Sequence, residues 1–142
     1  MNEFFTAQIG KKVEHCKTGH GSFLTIEFYD QNGRKENIRF WVYMCEWAIT
    51  VNGVEKINSD SQELKKLESL GLLENKTIQE IVFLDNEEFH ILFDNETALE
   101  IWKLDDTEDR AEALLVFKNE ECLGTIYLPP PLPSPSGLIN ES

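Results

Sequence analysis

The side chains of this chain best suited to metal or nucleophilic chemistry are His15, Cys16, His20, Cys45, His90 and Cys122. His15, Cys16 and His20 cluster in sequence, and Cys45 in a later apolar run could approach them for tetrahedral zinc chemistry. Structural zinc sites pair their ligands at short fixed spacings, and no such pair is present. The cluster therefore reads as a strand edge followed by a glycine-rich turn, and neither a metal nor another cofactor is expected. A cysteine nucleophile needs a base held by a third group, together with a lowered thiol pKa. Cys45 lies instead among apolar residues, which raise a thiol pKa, and the absence of a CxxC pair points to reduced, packed thiols. GxSxG, P-loop, GxGxxG and HExxH motifs are all missing, so the chain is expected not to be an enzyme.

Carboxylates are the other candidates. Glu46 interrupts an apolar run beside Trp47, and two readings stand side by side. It is either a carboxylate in a cleft formed with Trp47, its pKa raised and Arg39 a potential partner, or the point where a strand emerges into solvent. A longer acidic series comprises Asp85, Glu87, Glu88, Asp94, Glu96, Asp105, Asp106, Glu108 and Asp109. These residues fall mostly in predicted turns, where alternate connections of a meander would gather part of them into a negative rim. The whole chain carries a net charge of −13, and residues 74–121 hold 15 acids against 4 bases. Such a charge repels phosphates and so argues against nucleic acid, while it favours rapid capture of a basic protein partner. On this reading the acidic series is the partner-binding surface.

These residues must be positioned by strands. The 38–51 segment, Ile-Arg-Phe-Trp-Val-Tyr-Met-Cys-Glu-Trp-Ala-Ile-Thr-Val, is apolar at both odd and even positions, which predicts one central strand covered on both faces. Leu24, Ile26 and Phe28 alternate in a strand before it, and the two should form an antiparallel hairpin. Asn52-Gly53 predicts a turn. Asp60 and Glu63, the leucine stripe Leu64, Leu67 and Leu70, and a stop at Gly71 predict a short helix lying on the sheet. Strands over 78–84, 88–94 and 98–104 follow as a meander. A last hairpin around Asn119-Glu120-Glu121 is expected, although 108–118 also suits a helix.

The expected fold is α+β: a single, mainly antiparallel sheet of six to eight strands with one short helix packed on it, in one domain over 1–128. All five prolines lie in 129–142, which reads as an extended, flexible tail, a disordered end that shares the form of ligands for aromatic-lined grooves. No apolar run reaches the length of a membrane span and no signal segment is legible, so the cytoplasm is the expected location.

The 21–28 run Gly-Ser-Phe-Leu-Thr-Ile-Glu-Phe, the 40–47 run Phe-Trp-Val-Tyr-Met-Cys-Glu-Trp and the 88–102 hairpin together resemble strands of small uncharacterised bacterial proteins. Some of those occur among candidate immunity proteins of polymorphic toxin systems. The resemblance covers about two thirds of the chain and implies a single α+β domain that binds and blocks a cognate toxin, such as a nuclease. It implies no catalytic residue. Two other readings remain: a small enzyme or ligand binder with a cleft at Glu46 and Trp47, and a scaffold module without a toxin partner.

Overall fold

A computed structural model describes residues 3–18, 23–29, 37–43, 45–61, 70–85, 88–103 and 111–128. Ten strands run through them: β1 (Val13–Thr18), β2 (Leu24–Phe28), β3 (Ile38–Val42), β4 (Glu46–Val51), β5 (Val54–Asn58), β6 (Ile78–Asp85), β7 (Glu88–Phe93), β8 (Thr97–Trp102), β9 (Ala111–Lys118) and β10 (Glu121–Leu128). They form two antiparallel five-stranded sheets, ordered β1-β2-β3-β9-β10 and β5-β4-β8-β7-β6. Buried side chains from both sheets belong to one apolar cluster, with Trp47, Phe40, Phe89, Ile26 and Leu99 among the largest members sealed from solvent. This is the packing of a β-sandwich, in which each strand turns alternate residues toward the partner sheet.

The expected α+β architecture with a single sheet is overturned. Among the described residues there are two sheets, and helix is confined to one turn, α1 (Glu3–Thr6), and a 3-10 turn at Leu70–Leu72. Most of the predicted helix, at 62–69, lies outside the described residues; Leu70 and Gly71 belong to the 3-10 turn. The 38–51 segment is the source of the error, because it holds two strands that belong to different sheets. In β3 only the even residues Ile38, Phe40 and Val42 are buried, whereas β4 is buried at both parities from Trp47 to Thr50, with its large side chains Trp47 and Ile49 at odd positions and the small Ala48 and Thr50 at even ones. The parity of the large buried side chains thus changes between the end of β3 at Val42 and the start of β4 at Glu46, in the other sheet. The expected cover on both faces therefore holds for β4 but not for β3, and a one-sided strand followed by a strand of opposite phase imitates one long strand that is apolar on both sides.

The local predictions fare better. β2 and β3 pair as an antiparallel hairpin, β6-β7-β8 form a meander, and β9 and β10 form the last hairpin, which makes strand of residues 111–118. Asn52 and Gly53 take φ of 56° and 77°, the left-handed pair that a tight β4–β5 turn requires. The sheets are also joined at one side, where Lys12 and Thr77 form an antiparallel bridge. Near it α1 lies against both β6 and β10, and its Phe5 is fully buried. No helix among the described residues is long and apolar enough to cross a membrane. The proline-rich 129–142 segment lies outside the described residues.

Candidate functional site

The outward face of the first sheet is aromatic. Alternation that buries Phe40 and Val42 must turn Arg39, Trp41 and Tyr43 the other way, and all three are half-buried. Trp41 stands opposite Thr25 and Leu115 in register, and Arg39 opposite Glu27 and Phe117. The rings form a connected row: Phe23 to Tyr43 at 5.0 Å, Tyr43 to Trp41 at 4.8 Å, and Trp41 to Phe117 at 6.0 Å between centroids. The Arg39 guanidinium lies 5.2 Å from the Phe117 ring centroid, a cation–π distance.

Two grooves adjoin this row and share Glu27 and Arg39. One, of about 360 Å³, runs between Lys17, Thr25, Trp41 and Phe117. The other, of about 370 Å³, is lined by Glu14, Glu120, Asn37 and Asn119 besides the shared pair. Three carboxylates and one guanidinium border this second groove, which favours a cationic occupant. Lys17 lies 4.0 Å from Glu27 across exposed side chains, a pair that solvent screens.

Glu46 and Trp47 do not share a cleft. They are successive residues of one strand, so Trp47 enters the core while the half-buried Glu46 faces outward from the second sheet. Its carboxylate accepts a bond from the Ser59 hydroxyl, and the Ser59 hydroxyl oxygen in turn accepts from the Trp47 amide at 3.2 Å. Arg39 is not its partner, because Arg39 belongs to the other sheet. Glu46 thus pins the β4 start to Ser59, the residue that follows β5.

The acidic series divides between two ends of the second sheet. Asp85 and Glu88 flank the β6–β7 connection, whereas Asp94 and Glu96 sit in the β7–β8 turn at the opposite end. Asp94 has a local task, since its Oδ1 accepts from the Thr77 amide at 2.9 Å. Glu96 is exposed in its turn. Glu87, Asp105, Asp106, Glu108 and Asp109 lie outside the described residues, so whether they meet in one rim lies there too.

The thiols behave in two ways. Burial pushes Cys16 up to about 12, helped by the Glu74 carboxylate. Burial also pushes Cys45 up to about 12, with Lys103 opposing the rise and Glu46 adding to it. Neither is poised as a nucleophile. Cys122 departs from the expected packing and is exposed on β10.

Sequence reasoning missed a cluster on the outward face of the second sheet, where Glu88, His90 and Glu100 bring one ligand atom each within 4.8 Å of one another. The legible signals were Glu88-x-His90, two residues apart and so on one face of a strand, and the meander that pairs β7 with β8; the register that sets Glu100 opposite His90 was not legible. No protein-family model, curated protein or solved structure matches the chain.

Proposed function

We propose that this chain is a non-catalytic protein-binding module, of the immunity type that its strand patterns resemble, which docks a basic partner through the outward face of its first sheet. The observation that carries the reading is the half-buried aromatic row of Phe23, Tyr43, Trp41 and Phe117 running into a groove bordered by Glu14, Glu27 and Glu120. Tryptophan, tyrosine and arginine are the side chains that dominate binding energy when they sit centrally in a desolvated patch. Carboxylates beside such anchors favour a lysine or arginine of the partner. The net charge of −13, concentrated in the second half of the chain, speeds the encounter from a distance. The acids from Asp85 to Asp109 contribute to this steering.

The test compares the wild-type chain with a Trp41→Ala/Tyr43→Ala variant as baits in lysate of the source cell, followed by affinity measurement with the purified partner. A basic protein retained by the wild type should bind the variant at least about 30-fold more weakly, the effect of losing about 2 kcal/mol. Raising salt should slow its association with both baits. Equal affinity for wild type and variant overturns the reading, as does capture of an acidic protein alone.

A further inference from the structure

The structure assigns a second, independent site: Glu88, His90 and Glu100 form a three-ligand seat for one first-row divalent cation, of the Zn²⁺ or Mn²⁺ kind, on the outward face of the second sheet. Glu88 and His90 are two residues apart on β7 and therefore share a face, and His90 stands directly opposite Glu100 of the neighbouring β8. Both carrier strands are interior to their sheet, with β4 and β6 as their further neighbours. The ligand set is thus mounted on rigid elements rather than on a loop. Its side chains are only partly accessible, His90 at 18%, Glu88 at 33% and Glu100 at 30%.

Both carboxylates converge on a single atom. Nε2 of His90 lies 2.7 Å from one oxygen of Glu88 and 3.9 Å from one oxygen of Glu100. An imidazole carries at most one proton on that nitrogen, whether neutral or charged, so it can donate to one carboxylate only. Glu88 takes that bond, and at 3.9 Å Glu100 is beyond hydrogen-bonding reach of the nitrogen. Two carboxylates held around one imidazole nitrogen in a chain of net charge −13 repel each other. A divalent cation removes the conflict, because it bonds to the nitrogen and both oxygens at once. With metal–ligand bonds of about 2.1 Å, ligand atoms lie about 3.0–3.4 Å apart, which small carboxylate rotations reach from the observed spacings. The imidazole favours Zn²⁺ over Ca²⁺ and Mg²⁺, which prefer oxygen alone, and the two carboxylates beside it also suit Mn²⁺. Three ligands from one face leave further coordination positions open outward. Trp102 stands opposite Glu88 in register and two residues beyond Glu100, which makes its fluorescence a nearby reporter.

Calorimetric titration of the full chain with ZnCl₂ and with MnCl₂, after dialysis against chelator and in a Cys122→Ser background that removes the exposed thiol, tests the assignment. One equivalent of metal should bind, raise the melting temperature and change Trp102 emission. The nearly isosteric Glu88→Gln/Glu100→Gln variant should lose affinity at least tenfold, while Glu96→Gln, at the far end of the sheet, should bind as the parent does. In proton spectra of the unsubstituted chain, substoichiometric Mn²⁺ should broaden the His90 ring signals before those of His15, which belongs to the other sheet. Unchanged affinity in the double variant, equal broadening of His90 and His15, or no binding by the parent up to millimolar metal overturns the site.

Discussion

A thiol's chemistry depends on what surrounds it, and the three cysteines of this chain differ accordingly. Cys16 and Cys45 are buried with raised pKa values, whereas Cys122 is exposed with its sulfur 3.6 Å from the Gly124 carbonyl. A disulfide reagent such as DTNB at pH 8 should therefore modify one thiol rapidly in the native protein and all three only in denaturant, and Cys122→Ser should abolish the rapid phase. Fast reaction of two thiols in the native state would contradict the burial of Cys16 or of Cys45. At this scale the sequence was partly legible. The apolar neighbours of Cys45 announced its inert thiol, but nothing around Cys122 announced its exposure, because hairpin register decides which face of β10 it takes. Glu46 resisted for a similar reason: its partner Ser59 lies 13 residues away, beyond a turn and a second strand.

Strand connections carry the next set of consequences. Asn95 and Glu96 of the β7–β8 turn both have φ of 58°, a region in which a glutamate side chain crowds its own backbone. Glu96→Gly should raise stability by about 1 kcal/mol, read as a shift in urea midpoint, because glycine takes that conformation without crowding. Gly53→Ala should act the other way by about 1 kcal/mol through its φ of 77° alone, since no atom lies within 4 Å of where the new carbon would stand. An increase for the alanine variant would mean that the turn takes another shape. Turns and hairpins were the most legible level of this chain, because Asn52-Gly53, the 94–96 turn and Asn119 carry their conformation in their residue types. The link between Val42 and Glu46 was illegible for the opposite reason. It contains no glycine, proline or asparagine, and its trace is the change in parity of the large buried side chains, from Phe40 and Val42 to Trp47 and Ile49. The aromatic row was hidden by the same feature: Trp41 and Tyr43 read as core residues of a two-sided strand, when they face outward from a one-sided one.

Across the whole molecule, the buried thiols link stability to alkaline pH. A thiol whose folded pKa lies above its unfolded value contributes stability that is fully present below the unfolded value, about 8.5, and is lost as pH rises from there toward 12. Between pH 8.5 and 9.5 Cys16 and Cys45 should each remove about 1.4 kcal/mol at most, seen as a falling urea midpoint that is flatter in the Cys16→Ala/Cys45→Ala variant. Equal slopes for parent and variant would contradict that linkage. Sheet membership has a different consequence, in the order of assembly. The second sheet uses one continuous stretch of chain, Glu46 to Trp102, whereas the first is split, with β1 to β3 before that stretch and β9 and β10 after it. β3 therefore waits for β9, pairing Ile38 with Lys118 across most of the chain, and such distant pairings close slowly. On the ribosome the second sheet is complete before the residues that finish the first have been made. A chain cut after Lys103 should thus keep an unpaired β3 edge and aggregate where the full chain stays monodisperse in light scattering, making the last hairpin the latch of the fold.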